Sequence, residues 1–422
     1  MPQWRVCVFF IIFAEEFKTQ NINTNNYQFM KDFVYYAPTE VVFGTHSEEQ
    51  VATLVKKYGG SRVLVHYGGQ SARKSGLLDK ITGLLDEAGI SYIELGGVVP
   101  NPRLSLVKKG IDLCRQNGVD FILAVGGGSV IDSAKAIAYG VKYDGDVWDF
   151  YLGKAQATDC LPVATVLTIP AAGSEMSESS VITNEDGDVK LGYSNNICRP
   201  KFSIMNPERT YTLPPYQTAA GVTDIMMHTM ERYFTHDDDM TVTTAIAEAL
   251  LRTMKDSVFA VLKNPCDARN RTQIMWGGSL AHNGLTGCGM QDDWATHQLE
   301  HELSGMFDVT HGAGLAAMWP SWARYVYKEN VSRFVRFAVN VMGVENDFAA
   351  PEETALKGIE AMEQFYHAIG MPINIHELIG KEISDEEIEE MVRKCSRNRT
   401  ITLGGFKVLT ADDMTAIYKM AK

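Results

Sequence analysis

Residues 121–135 have the sequence Phe121-Ile122-Leu123-Ala124-Val125-Gly126-Gly127-Gly128-Ser129-Val130-Ile131-Asp132-Ser133-Ala134-Lys135. Five apolar residues run into three glycines, and the residues that follow have helical character. This order is typical of a buried strand that turns directly into a helix. Glycine lets the backbone approach a ligand closely and a helix N-terminus offers free N–H groups, so the turn predicts a phosphate-binding loop. The alternative is a tight strand-to-helix turn that holds no ligand.

The same alternation of strand and helix extends to both sides of this segment. Strands are predicted at Glu40 to Phe43, Arg62 to Tyr67, Ser91 to Leu95, Phe121 to Val125, Val163 to Ile169 and Phe202 to Met205, with helices at Ser47 to Lys57, Gly76 to Ala88 and Leu104 to Asn117. Ser180 to Tyr193 predicts a β-hairpin that turns at Asp186-Gly187. The pattern predicts a parallel-sheet α/β domain, Rossmann-like and dinucleotide-binding, over residues 30–211.

The two ends of the chain differ from this pattern. Beyond Tyr216 only helical periodicity is found, with helices predicted at Thr241 to Leu262, Asp267 to Asn283, Pro320 to Met342, Glu352 to Ile369 and Asp385 to Cys395. The sequence therefore predicts an all-helical domain over residues 212–422. Residues 1–29 contain a nine-residue apolar run, too short to span a bilayer, followed by an Asn- and Gln-rich segment. We expect them to be a poorly structured N-terminal extension.

Composition limits the classes of function. The chain has 422 residues, of which 45% are hydrophobic, and a net charge of −13. Such an acidic chain lacks the basic surface that nucleic acid or an anionic membrane requires, so neither is expected as a partner. Seven cysteines without a CxxC pair predict free thiols in a reducing cytoplasm.

Carboxylate and imidazole side chains cluster in the helical half. Asp224 and His228 are spaced i, i+4, as are His297 and His301, so each pair shares one face of a helix. His311 follows a predicted turn that returns it to the same place. One Asp with two or three His residues supplies the ligands of a divalent transition metal. Spacing alone leaves open which two of the three downstream histidines bind the metal.

Glycine turns also follow two other strand ends, at residues 67–71 and 95–102. Three such turns at the carboxyl ends of parallel strands favour a dinucleotide over a single phosphate. Where an NAD site places an acidic residue for the ribose, this chain has Gly68-Gly69-Gln70-Ser71. Arg73 and Lys74 come next, and cations there can hold a 2′-phosphate. The sequence therefore favours NADP(H) over NAD(H).

Taken together, these motifs resemble the iron-dependent (group III) alcohol dehydrogenases. The resemblance is carried by Asp224-x-x-x-His228, His297, His301, His311-Gly312 and the Gly126–Ser129 loop. The segments at 67–71, 100–102, 170–175 and 293–297 are similar to the aldehyde reductase and butanol dehydrogenase branch of that family. The likeness extends from about Met30 to the C-terminus and implies the two-domain architecture shared with dehydroquinate synthases.

The resemblance implies a role for each matched residue. The metal ligands would be Asp224, His228, His297 and His311, holding Fe²⁺ or alternatively Zn²⁺, and His301 would be a catalytic proton relay beside the nicotinamide. The cofactor contacts would be Gly68, Gly69, Ser71, Asn101, Gly127, Gly128, Ser129, Asp132, Thr168, Ser174 and Lys190. Gln70 departs from the glycine often found in this branch, which bears on the cofactor preference.

The function expected from these residues is reversible hydride transfer between NADP(H) and a small aldehyde or primary alcohol, in a homodimer. A bound metal would polarise the carbonyl group. Met226, Trp294 and Met306 near the ligands are compatible with an aliphatic substrate. Two alternatives remain: an NAD- and zinc-using cyclase resembling dehydroquinate synthase, which needs several cations in its cleft, and a regulatory nucleotide-binding protein with structural histidines.

Overall fold

The strands of the N-terminal half form one parallel sheet. The computed structural model describes residues 31–422, so the predicted extension at residues 1–29 lies outside the described residues. The strands are β1 (Glu40–Phe43), β2 (Arg62–Tyr67), β3 (Ser91–Leu95), β4 (Phe121–Gly127), β5 (Val163–Ile169), β6 (Ser179–Asn184), β7 (Val189–Ser194) and β8 (Phe202–Met205). Six of them pair in the order β1-β8-β5-β4-β2-β3, and β6 and β7 form a separate antiparallel hairpin. The predicted strands and the predicted hairpin are confirmed.

Helices connect the strands and cover both faces of the sheet. They are α1 (Val51–Lys57), α2 (Ser71–Lys74), α3 (Leu77–Glu87), α4 (Leu104–Asn117), α5 (Gly128–Val141) and α6 (Trp148–Tyr151). Alternate residues of β4 point to opposite faces, so Phe121 and Leu123 belong to one buried cluster and Ile122 and Ala124 to another. A strand that is apolar on both faces is expected in a parallel sheet covered on both sides, which explains the continuous apolar run in the sequence.

The C-terminal half is helical. Its helices are α7 (Pro215–Tyr233), α8 (Thr241–Lys263), α9 (Ala268–His282), α10 (Ala295–Phe307), α11 (His311–Val326), α12 (Val331–Phe337), α13 (Pro351–Ala368), α14 (Ile375–Ile379), α15 (Asp385–Cys395) and α16 (Ala411–Ala421). They enclose a hydrophobic core that runs from Ala219 to Ala421. The change from sheet to helices falls between Met205 and Pro215, and the predicted domain boundary at residues 211 and 212 lies in that segment. Phe33–Lys422 form one compact unit.

The predicted helix from Pro320 to Met342 is wrong. Helix α11 begins at His311 and contains Pro320 in its interior; after Val326 the chain continues through a 3-10 turn, α12 and a π turn at Ala338–Met342. A proline inside a helix costs about 3 kcal/mol or more, because it removes a hydrogen bond and crowds the preceding turn. The helix continues because Pro320 lies between Trp319 and Trp322, both almost wholly buried in the core.

Among residues 31–422, no helix combines the length and the apolar character needed to cross a membrane.

Candidate active site

One cavity of about 770 Å³ lies between the carboxyl ends of the parallel strands and helices α7, α10 and α11. Its wall includes every residue predicted for the site. These are Gly68, Gly69, Ser71, Asn101, Gly127, Gly128, Ser129, Asp132, Thr168, Ser174, Lys190, Asp224, His228, His297, His301 and His311. The structure therefore brings the predicted nucleotide-binding residues and the predicted metal ligands to the same cavity.

Four side chains from three helices converge at one end of this cavity. Asp224 and His228 lie one turn apart on α7, His297 lies on α10, and His311 is the first residue of α11. The Asp224 Oδ1 atom lies 3.4 Å from His228 Nδ1, 3.7 Å from His297 Nε2 and 3.8 Å from His311 Nε2. His311 reaches this point because Asp308 ends α10 in a left-handed conformation with φ of 50°.

The convergent atoms have the character of a metal-binding set. Asp224 Oδ1, His228 Nδ1 and His297 Nε2 are buried and have no hydrogen-bond partner within residues 31–422. Leaving such atoms without a partner costs about 1–3 kcal/mol each, so three that face one another indicate a missing common ligand. One carboxylate and three imidazoles suit a divalent iron or zinc ion. The residues present therefore fit the metal.

His301 occupies a different place from the other histidines. Asp224, His297 and His311 each offer one ligand atom within 4.8 Å of the others, whereas His301 groups with Glu300 and His311. Its ring centroid lies 5.7 Å from that of His311. Burial lowers the pKa of His301 well below its ordinary value. The structure thus places His301 beside the ligand set, on the cavity wall.

Two glutamates that were not predicted from the sequence bind two of the predicted ligand histidines. Glu231 Oε1 accepts hydrogen bonds of 2.9 Å from both the backbone N–H and Nδ1 of His297. Glu300 Oε2 accepts from Nδ1 of His311. A hydrogen bond at Nδ1 fixes the ring and directs Nε2 to the metal. A signal existed in the sequence, since each glutamate follows a ligand histidine of its own helix by three residues, but the pairing runs between helices.

A second missed group lies beside His228. The Arg232 guanidinium is buried, donates to the carbonyl oxygen of His228 at 2.7 Å and lies 4.6 Å from the Trp294 ring centroid. His282 accepts from Arg232 at 3.3 Å. Of the three apolar residues expected near the substrate, Trp294 lines the cavity, while Met226 lies in the hydrophobic core and Met306 packs against it.

The glycine loop between β4 and α5 leaves no room for side chains. A β-carbon on Gly126 would lie 2.5 Å from Val130 Cγ2, and one on Gly128 would lie 2.8 Å from the β-carbon of Ala172. Gly127 and Ser129 bring their backbone to the cavity at the start of the helix. The free N–H groups of this N-terminus suit an anionic diphosphate.

Several predicted cofactor contacts are also bonded to the protein itself. Asp132 Oδ1 accepts from Ser174 Oγ at 2.6 Å, and burial raises the pKa of Asp132. Asn101 Nδ2 donates to Asp308 Oδ1 at 3.0 Å, which joins the turn after β3 to the turn before α11. The Lys190 Nζ atom lies 3.5 Å from Glu300 Oε2 on α10 and 3.4 Å from His311 Nδ1 on α11. These side chains line the cavity and are held in place by contacts with other residues of the protein.

Arg73 and Lys74, on which the prediction of NADP(H) rests, do not line the cavity. Arg73 Nη2 forms an ion pair of 2.6 Å with Glu94 and a hydrogen bond of 3.0 Å with the Tyr67 hydroxyl. Neither Arg73 nor Lys74 is among the residues that line the cavity, whereas Gly68, Gly69 and Ser71 are. The Arg73 guanidinium, which was expected to bind a 2′-phosphate, thus forms an ion pair with Glu94 on β3.

A parallel sheet with a glycine loop, joined to a helical half in which one carboxylate and three imidazoles converge, is an architecture that fits a metal-dependent alcohol dehydrogenase. The chain belongs to the iron-containing alcohol dehydrogenase family. The family model for iron-containing alcohol dehydrogenases matches residues 38–207. The family model for the C-terminal part of Fe-containing alcohol dehydrogenases matches residues 218–422. The predicted family is confirmed.

The relatives refine this assignment. NADH-dependent butanol dehydrogenase A of Clostridium acetobutylicum is 41% identical over 92% of this chain and 99% of its own length. NADPH-dependent aldehyde reductase YqhD of Escherichia coli is 31% identical over 93% of this chain and 100% of its own length. The crystal structure of NADH-dependent butanol dehydrogenase A from Thermotoga maritima has a TM-score of 0.89 and 38% identity, covering 93% of this chain and 99% of that one. The chain is accordingly an alcohol dehydrogenase of the butanol dehydrogenase type, an enzyme class that interconverts alcohols and aldehydes.

Proposed function

We propose that this enzyme reversibly reduces short aliphatic aldehydes to primary alcohols by hydride transfer from a nicotinamide cofactor bound at the sheet. The observation that supports this most is the shared cavity, which holds the Gly126–Ser129 loop at one end and the Asp224 cluster at the other. A cyclase resembling dehydroquinate synthase has less support, because the relatives reported above are alcohol and aldehyde oxidoreductases.

The protein's part in this chemistry is to hold, orient and exclude water. Asp224, His228, His297 and His311 would hold a divalent metal, which would supply a Lewis acid for the substrate oxygen. The glycine loop and the N-terminus of α5 would hold the diphosphate, and the cofactor would supply the hydride. His301 lines the cavity, and the lowering of its pKa by desolvation favours a neutral imidazole; in this proposal it would pass a proton between solvent and the product alcohol. Iron is the ion that the family implies, and zinc is the alternative proposal.

We propose little discrimination between the two nicotinamide cofactors. The turn at residues 68–71 has no carboxylate to repel a 2′-phosphate, which was the reason for favouring NADP(H). Arg73, however, is paired with Glu94 and does not line the cavity. Relatives of both kinds exist, the butanol dehydrogenases with NADH and the aldehyde reductase with NADPH. With no carboxylate at this turn and neither Arg73 nor Lys74 on the cavity wall, we expect kcat/KM for NADH and NADPH to differ by less than about tenfold.

The proposed function is tested by reduction of butanal. The chain is stripped of metal, reloaded with Fe²⁺ or Zn²⁺, and assayed by the loss of nicotinamide absorbance with NADH and with NADPH. Turnover that needs both a metal and a cofactor supports the proposal and ranks the metals and cofactors. Absence of turnover with every short aldehyde, in a chain shown to bind metal and cofactor, would refute it.

We further propose that the enzyme is a cytoplasmic homodimer. The six described cysteines are all free thiols, as expected in a reducing compartment. β1 is an edge strand, and the segment before it exposes Phe33, Val34, Tyr35 and Tyr36. An exposed edge preceded by apolar side chains is suited to pairing with a second copy. Light scattering of the purified chain distinguishes a dimer from a monomer.

A further inference from the structure

Lys190, predicted as a cofactor contact, also contacts two residues of the helical half, Glu300 and His311. It lies on β7 of the hairpin, in the nucleotide-binding half, and its side chain is only 5% exposed. Its Nζ atom lies 3.5 Å from Glu300 Oε2 and 3.4 Å from His311 Nδ1. The ammonium therefore reaches across the cavity to the helices that carry the metal ligands.

Glu300 is the group that connects Lys190 to the metal site. Its carboxylate is wholly buried on α10, where Ser304 Oγ donates to Oε1 and His311 Nδ1 donates to Oε2. A buried carboxylate is stable only when its oxygens are paired and hydrogen-bonded. Oε2 is shared by His311 and Lys190, so the ammonium fixes the oxygen that in turn fixes the imidazole ring.

The backbone of α11 leaves space for this arrangement. A β-carbon on Gly314 would lie 2.6 Å from Glu300 Oε1, so only glycine admits the carboxylate at this position. Gly314 follows His311 by three residues on the same helix, and both face α10. The histidine, the carboxylate and the glycine thus form one fitted contact between α10 and α11.

We propose that Lys190 is a positioning residue of the metal centre, which acts by holding the Glu300 carboxylate against His311. The inference rests on the proposed metal site, and it departs from the expectation that Lys190 serves the cofactor alone. In this proposal a residue of the β6–β7 hairpin, in the nucleotide-binding half, holds the predicted metal ligand His311 of the helical half in position. Metal affinity should then depend on a residue that is not a ligand.

The test measures zinc affinity rather than turnover. Purified full-length protein loaded with Zn²⁺ is titrated with a chromogenic chelator for wild type, Lys190→Met, Glu300→Gln and the double variant. Glu300→Gln should weaken zinc binding by about 10–100-fold, the usual effect of removing such a hydrogen-bonding partner. Lys190→Met should weaken it by roughly tenfold, in the range expected of residues in one network. The double variant should bind zinc no more weakly than Glu300→Gln, because Lys190 acts only through Glu300.

Controls separate positioning from folding and from cofactor binding. Lys190→Arg keeps the positive charge and should restore most of the zinc affinity, while Lys56→Met, at an exposed lysine of α1, should change nothing. If Lys190→Met does not fold, Gly314→Ala displaces the same carboxylate without removing a charge and should also weaken zinc binding. Wild-type zinc affinity in Lys190→Met together with weaker nucleotide binding would overturn the proposal, and so would additive losses in the double variant. Either result leaves the proposed aldehyde reduction intact, since that is judged by turnover.

Discussion

Gly312→Ala tests how closely the metal site depends on the contact between two helices. Gly312 follows the ligand His311 on α11 and packs on Ala220, which lies one turn before Asp224 on α7. An added β-carbon would lie 2.7 Å from the carbonyl carbon of Ala220 and closer still to its oxygen. Both are backbone atoms, so no side chain can rotate away to relieve the clash.

The size of the effect follows from that distance. The β-carbon would lie 2.0 Å from the Ala220 oxygen, and relief of that contact to a carbon–oxygen separation of ~3.3 Å separates the two helices by about 1.3 Å at this point. Overpacking of this kind costs about 1–3 kcal/mol of stability. Metal–ligand distances tolerate only about 0.2 Å, so moving His311 away from Asp224 by several times that amount should weaken metal binding at least roughly tenfold.

Chelator titration of bound Zn²⁺ and thermal unfolding measure these two effects. Gly83→Ala is the matched control, since Gly83 lies within helix α3 and a β-carbon there meets no atom within 4 Å. That variant should be more stable by about 0.5–1 kcal/mol, because alanine favours a helix over glycine, and its zinc affinity should not change. Unchanged zinc affinity and melting temperature in Gly312→Ala would refute the reasoning.

Three further outcomes are expected. Glu231→Gln removes the carboxylate that orients His297 and should weaken Zn²⁺ binding by about 10–100-fold in a chelator titration, with circular dichroism as the check that the fold is retained. Gly128→Ala should raise the dissociation constant for NADH, measured by fluorescence, at least roughly tenfold, because the new β-carbon would displace the phosphate loop from Ala172, which follows β5; equal affinity would show that the loop does not contact the cofactor. Burial lowers the pKa of His66 to about 4, so the unfolded chain binds a proton there below about pH 6.5 that the folded chain does not. Stability should fall as pH drops from about 6.5 to 4, by up to about 3 kcal/mol from this residue, and less steeply in His66→Gln when denaturant midpoints are compared.

The sheet could be predicted closely because each strand carries its own signal. Burial on both faces makes a run such as Phe121 to Val125 apolar throughout, and glycines mark where it ends. Helix α11 was harder, because Pro320 normally marks the start or end of a helix. Trp319 and Trp322 on either side are buried in the core, which stabilises a helix that continues through the proline, and burial depends on distant parts of the chain.

The site residues likewise differ in how far local sequence could predict them. The ligand positions follow from helical spacing within Asp224 to His228 and from the family motifs. Glu231 and Glu300 each bind a histidine of another helix, so helix packing had to be known before their partners could be named. The pairing of Arg73 with Glu94 could not be predicted for the same reason, since Glu94 lies on a neighbouring strand.

The central claim is that Asp224, His228, His297 and His311 hold one divalent metal on which aldehyde reduction depends. The most direct test is to measure bound metal per chain, and butanal turnover at saturating metal, in His311→Ala and His301→Ala side by side. We predict that His311→Ala loses both the metal and the turnover, whereas His301→Ala keeps the metal and loses rate only. Full metal content in His311→Ala, or loss of metal in His301→Ala alone, would contradict the assignment.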